Sequence, residues 1–209
     1  MPDVDLTDHR VAVLASAFIY WAGVFVQTRR VRRKIGRAPN VRPRGLKENL
    51  LWIGWLVVVL AWFSLPLVSG AGRQLKAFRL IEPLCNRASF WGGMVLIIAG
   101  YAGTLWCYAS MGSTWRMGVN RSEKTRLVRE GPFRFIRHPI YVFQAVMLAG
   151  ASLLLPTMAI FGVLALHIIC IMAKAADEED YLRTLHGAEY ANYLSHTGRF
   201  IPKLRFKSK

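Results

Sequence analysis

The chain has 209 residues, 54% of them apolar and 19% charged, yet 28 Lys and Arg against 12 Asp and Glu leave it a net charge of +16. So much apolar content excludes a disordered basic tail, and the charge comes with no nucleic-acid recognition motif, so no nucleic-acid partner is expected. Cys85, Cys107 and Cys170 are odd in number and widely spaced in apolar surroundings, which leaves neither a disulfide framework nor a CxxC metal pair, and no metal site is expected.

Crossing a bilayer takes about 20 apolar residues in a helix. The first uncharged run, residues 11–28, follows MPDVDLTDHR. Three Asp and one Arg there, and no small-x-small cleavage site after the run, identify a transmembrane helix rather than a secretory signal. The second run predicts a helix over 49–72. The third, 88–115, predicts one over 88–111, in which Gly92, Gly93, Gly100 and Gly103 are spaced for close helix packing or a dimer contact. In the loop 112–137, apolar residues alternate on both sides of Asn120 to Lys124, which predicts a small hairpin.

The fourth run, 138–173, is too long for one crossing, and Pro156 interrupts it near the midpoint. It reads as two helices, 138–155 and 157–174, joined by a tight turn at Leu155-Pro156-Thr157. A tail, 175–209, continues as helix from Ala175 to Ser195 with a break at Gly187. The expected fold is an all-α integral membrane protein with five transmembrane helices, the last two a hairpin, in a single membrane domain with a cytoplasmic tail.

The loops alternate in charge. Segments 29–48, 116–137 and 174–209 hold nine, seven and seven Lys or Arg, against five on the other side, so the positive-inside rule places the N-terminus outside and the C-terminus in the cytoplasm. The run Arg29 to Lys34 reads as a cytoplasmic anchor. Trp52, Trp55, Trp62, Trp91, Trp106 and Trp115 read mainly as interfacial or lipid-facing, and His167 as a packed or hydrogen-bonded histidine inside the fifth helix.

The hairpin also predicts a neighbourhood. Arg137 lies 19 residues before Pro156 and Glu178 lies 22 after it, so antiparallel arms bring both to one membrane edge. Arg137, His138, Tyr141, Glu178 and Glu179 would gather there. Ionisable groups at a lipid boundary are costly unless they are paired or functional.

The stretch GPFRFIRHPIY (Gly131 to Tyr141), then EEDYL (Glu178 to Leu182), Gly187, Tyr190, Tyr193 and RFIP (Arg199 to Pro202), resembles the isoprenylcysteine carboxyl methyltransferase and phospholipid methyltransferase superfamily. MGSTWRMGV (Met111 to Val119) and Leu127-Val128 resemble its bacterial members. The resemblance implies a membrane-embedded helical bundle, in a bacterial inner membrane, that uses S-adenosylmethionine. The acceptor would be a lipophilic or prenylated molecule entering from the bilayer. By matching positions, it implies donor binding by His138, Pro139, Tyr141, Glu178, Glu179, Tyr190, Tyr193, Arg199 and Pro202. Catalytic roles fall on Arg137, Glu179 and Arg199, and substrate contacts on Phe143, Gln144 and Trp115. Two departures stand out: Phe143 occupies a position where the family often has glycine, which should narrow the slot beside the donor, and His186 precedes Gly187 where phenylalanine is common.

The residue types suit the chemistry. A sulfonium donor needs carboxylates for its amine or ribose hydroxyls, a cation for its carboxylate and aromatic faces for its charged centre. The acceptor stays open among an isoprenylcysteine-like carboxylate, a phosphatidylethanolamine-type amine and another small hydrophobic molecule. The contrasting expectation is a membrane scaffold or transporter subunit. A transporter should carry ionisable groups within its helices or paired broken helices, whereas here the ionisable cluster sits at the membrane edge.

Overall fold

The computed structural model describes residues 6–39, 45–69, 75–116 and 126–203. Among them five α-helices run in chain order: α1 Thr7–Ile35, α2 Leu46–Val68, α3 Arg87–Met111, α4 Pro139–Leu154 and α5 Met158–His196. No strand occurs among the described residues; two isolated bridges join extended segments. The hairpin expected around 120–124 lies outside the described residues.

Local chemistry sets the helix ends. Gly36, with φ of 74°, closes α1, and its N–H bonds to Arg32 O. Arg32, Arg33 and Lys34 stand in that last turn, where cations suit the negative end of the helix dipole. Asn86 caps α3 by accepting from Ser89 N at 2.9 Å, and Pro139 takes the first position of α4, where its missing N–H costs nothing. α5 runs for 39 residues across Gly187, whose φ of 49° and ψ of −121° break the helical path. The expected last span and the tail as far as Gly187 are therefore one continuous helix, and a second helical stretch follows the kink.

Four helices, α1, α2, α3 and α5, are long and apolar enough to cross a membrane. α4 has 16 residues, short of the about 20 needed. Of the five expected spans, four are thus long enough by themselves and α4 is shorter: Pro139 sets its start and the Leu155-Pro156 turn its end. The outer surface is apolar, with Phe18, Trp91, Val95 and Ile98 each 62% exposed, as a lipid-facing surface requires.

α3 and α4 pack backbone to backbone. A Cβ on Gly93 would lie 2.7 Å from Gly150 O, and one on Gly150 2.6 Å from Gly93 O. The glycines of α3 thus serve packing within the chain, one of the two readings the sequence allowed. The tip of the α4–α5 hairpin is buried. Ile81 N donates to Pro156 O at 2.8 Å, Leu80 bridges Thr157, and His9 Nδ1 sits 2.7 Å from Leu154 O. At the opposite end, Lys47 pairs with Asp177 at 2.5 Å, so the start of α2 lies beside α5 beyond its apolar part.

Candidate active site

The segment between α3 and α4 and the end of the chain form one backbone unit. Gly131, at φ of 59°, turns the chain beneath α3, and a one-turn 3-10 helix, Gly131–Arg134, follows. Residues 136–138 then run beside 198–199: Arg137 N donates to Gly198 O at 2.9 Å and His138 N to Arg199 O at 3.2 Å. Tyr193 OH donates to Phe133 O at 2.5 Å, and Arg129 pairs with Glu189 at 3.0 Å. Burial pushes the Tyr193 hydroxyl up to about 12, so it stays a donor across the physiological range. The tail after α5 is thereby strapped across the entrance to α4.

Glu179 sits at the centre of this unit, 2% exposed. Arg137 Nε donates to its carboxylate at 2.9 Å, Arg199 donates twice at 3.0 and 2.7 Å, and His138 Nε2 lies at 3.3 Å. Arg137 also donates to Thr197 O. Burial alone would raise the Glu179 carboxyl, but hydrogen bonds from His138, Arg199 and Arg137 hold it well below the usual carboxylate range.

Glu178 faces another way, as adjacent helical residues must, being about 100° apart. Tyr141 OH donates to it at 2.6 Å, and His138 Nδ1 lies 3.4 Å away. The His138 and Tyr141 rings stack, with centroids 5.6 Å apart and planes 9° apart. Both nitrogens of His138 thus face carboxylates, an arrangement that a doubly protonated ring satisfies.

A cavity of about 520 Å³ opens beside this cluster. Its polar wall is Arg137, His138, Tyr141, Lys174 and Glu178, with Tyr190 and Tyr193 of the tail and Leu127 of the preceding segment. It continues to Tyr20 and Trp21 of α1, Trp52 and Trp55 of α2, Gln144 of α4 and Cys170 of α5. Cys170 lies eight residues before Glu178, about 12 Å deeper into the apolar part of α5. Gln144 donates to Tyr20 OH, and Trp21 packs edge-on against Trp55 at 5.2 Å. The Tyr190 hydroxyl is buried without a hydrogen-bond partner among the described residues.

Of the residues singled out in the sequence, Arg137, His138, Pro139, Tyr141, Glu178, Tyr190, Tyr193, Gln144 and Trp115 line the cavity. Glu179, Arg199, Pro202 and Phe143 are not among its lining residues. Glu179 and Arg199 stand behind it, paired with each other, and Pro202 is exposed. Phe143 corrects an expectation: it points at α3, where a Cβ on Gly103 would lie 2.3 Å from its ring, so it does not narrow the cavity.

Tyr20, Trp21, Tyr108 and Lys174 line the cavity and were missed in the sequence. The available signal was polar side chains inside apolar runs, Tyr20 and Tyr108 among them. The tryptophans also divide. Trp91 and Trp106 are exposed, but Trp62 and Trp115 are each 4% exposed, and Trp62 donates to Ser16 at 3.2 Å. His167 is buried, and neither ring nitrogen has a partner among the described residues. Among those residues no group of three His, Cys, Asp or Glu side chains is placed to hold a metal ion.

Comparison with known proteins bears on this geometry. Residues 88–189 match the family described as Phospholipid methyltransferase. Over 112 residues the chain is 27% identical to the nickel-cobalt-cadmium resistance protein NccN of Alcaligenes xylosoxydans xylosoxydans, covering 54% of this chain and 49% of that one. Over 139 residues it is 27% identical to the cobalt-zinc-cadmium resistance protein CzcN of Cupriavidus metallidurans, covering 65% and 63%. The chain thus spans less than two thirds of the length of either relative. The family match begins at α3, so α1 and α2, which supply Tyr20, Trp21, Trp52 and Trp55, lie outside it.

Proposed function

We propose that the cavity holds S-adenosylmethionine at its polar end and a lipophilic methyl acceptor at its aromatic end, a reading supported by the match of residues 88–189 to the family described as Phospholipid methyltransferase. The observation that carries this reading is the continuity of one cavity from Glu178 to Trp55. Its volume of about 520 Å³ suits small-molecule sites, which run from about 300 to 1,000 Å³.

The residues fit the donor. Glu178 offers a carboxylate to an amine or ribose hydroxyls, Arg137 a guanidinium to a carboxylate, and Tyr141 an aromatic ring to a sulfonium. The unpartnered Tyr190 hydroxyl is a polar group that a ligand would satisfy. When bound, S-adenosylmethionine supplies a methyl group made electrophilic by its sulfonium charge.

The chain's own task is then alignment and exclusion of water. Holding two reactants in line supplies several kcal/mol of such a barrier. Glu179 and Arg199 act as positioning residues: the carboxylate fixes Arg137 and His138, and the arginine ties the strap over them. Glu178 is the donor-facing member of the glutamate pair. Where the acceptor atom carries a proton, Glu178 is the carboxylate on the cavity wall that would receive it. The aromatic chamber of α1 and α2 takes the acceptor's apolar body from the bilayer.

In this reading α4 is a fifth, short crossing whose first turn is replaced by the strapped segment, which sinks the site below the membrane surface. The C-terminus is cytoplasmic and the N-terminus external, in a bacterial inner membrane, following the 23 to 5 division of cations. The test is incubation of the reconstituted protein with methyl-labelled donor and a total membrane lipid extract. Label is expected in an organic-soluble product, and to fall with Glu178→Gln. Label confined to the aqueous or protein fraction would overturn the lipophilic acceptor.

A further inference from the structure

A second, smaller cavity of about 120 Å³ lies between α1 and α3, lined by Gln27, Arg30, Val31 and Lys34 of α1 and by Tyr108, Ala109 and Gly112 at the end of α3. Gln27, Arg30 and Lys34 stand at i, i+3 and i+7, on one helix face. Gln27 is 4% exposed, and its amide has no hydrogen-bond partner among the described residues. Neither Arg30 nor Lys34 has an ion-pair partner among them. Arg30 and Lys34 are exposed and available to an anion, while the amide beneath them would gain from a ligand that completes its hydrogen bonding. Across from them the floor is small and open: a Cβ on Gly112 would meet nothing within 4 Å.

We propose that this groove binds an anionic phospholipid through its phosphate and glycerol backbone. The order of groups along α1 favours a lipid over a free anion. From Gln27 to Lys34 the helix rises about 10 Å, with the neutral amide at the apolar end and the ammonium outermost. A phospholipid presents ester carbonyls and glycerol at the depth of the amide and its phosphate at the level of the cations. The acyl chains then lie toward Leu105, one turn above Ala109 and 44% exposed.

α1 and α3 both end here, and their negative helix termini disfavour an anion, so Arg30 and Lys34 carry the attraction. Tyr108 lines both cavities, so a lipid in the groove packs against the wall of the larger one. The site does not depend on the methyltransferase reading.

The test quantifies lipid bound to the full chain in neutral detergent, by native mass spectrometry, during titration with dioleoylphosphatidylglycerol, dioleoylphosphatidylcholine or inorganic phosphate. Phosphatidylglycerol is expected to bind, with affinity falling roughly fivefold for each of Arg30→Ala and Lys34→Ala and about fivefold for Gln27→Leu. The pair Arg29→Ala and Arg33→Ala removes equal charge from other faces of α1 and should change binding by less than about twofold. Equal loss in that pair would reduce the effect to general surface charge and overturn the site. So would equal binding of phosphatidylcholine, or displacement of the lipid by millimolar phosphate. Monodisperse elution of each variant separates lost binding from lost folding.

Discussion

Glu178 and Glu179 are adjacent in sequence and differ in everything a mutation would report. Glu179 is enclosed by two guanidinium groups and an imidazole. Removing one partner of a buried pair strands the other, at a cost of about 3 kcal/mol or more. Glu179→Ala should therefore lower the unfolding free energy in mild detergent by about that amount, and an unchanged melting curve would refute the positioning role. Tyr190→Phe makes the opposite prediction. Its hydroxyl has no partner in the described chain, so stability should hold, while donor affinity falls by about 1 kcal/mol if the hydroxyl contacts the ligand. Isothermal titration with S-adenosylhomocysteine measures that difference, and equal affinity would exclude the contact.

At the scale of elements, α3 and α4 are joined by absence of side chains. A Cβ on Gly100 would lie 2.4 Å from Met147 Cγ and 2.7 Å from Phe143 O, the second a backbone atom that cannot rotate away. Gly100→Leu should destabilise by about 3 kcal/mol or more, whereas Gly162→Ala, whose Cβ meets nothing within 4 Å, should cost nothing. Thermal melts of the two variants check the contrast. The same elements show how far the sequence could be read. Pro156 marked the hairpin, and counting residues on either side brought Arg137 and Glu178 together before any coordinates. Charge-free runs located the helices. Counting along a helix cannot tell which way a face turns toward its neighbours, and neighbours in sequence point about 100° apart. For that reason Phe143 was expected at the donor and packs on α3, while Gln144 reaches the cavity. Tyr20 and Trp21 escaped notice because the rotation of α1 is decided by its packing against α2, α3 and α4, which no local pattern encodes.

For the molecule as a whole, the strap, the cluster and the cavity form one cooperative unit that depends on charge. The Glu179 carboxyl is held below its ordinary value of 4.5. A depressed carboxyl contributes stability that is complete above that ordinary value and is lost as pH falls below it. Melting temperature should therefore drop on the acid side of about pH 4.5, and decline again on the alkaline side as His138, whose folded value despite burial is raised by the two carboxylates, loses its proton. Glu179→Gln should flatten the drop, and an acid limb of the same depth in the variant would assign it to other groups. In the proposed topology the basic balance of the chain divides 23 to 5 across the membrane, which would set the ionisable cluster at the cation-rich face.

The central claim is that the polar end of the cavity binds a sulfonium methyl donor. Thermal stabilisation of the purified protein by S-adenosylhomocysteine tests it most directly. A saturable rise in melting temperature at micromolar to millimolar ligand is expected, reduced in Glu178→Gln, a variant whose own melting temperature should stay near that of the parent. No rise at millimolar ligand, or an equal rise in Glu178→Gln, would contradict the account.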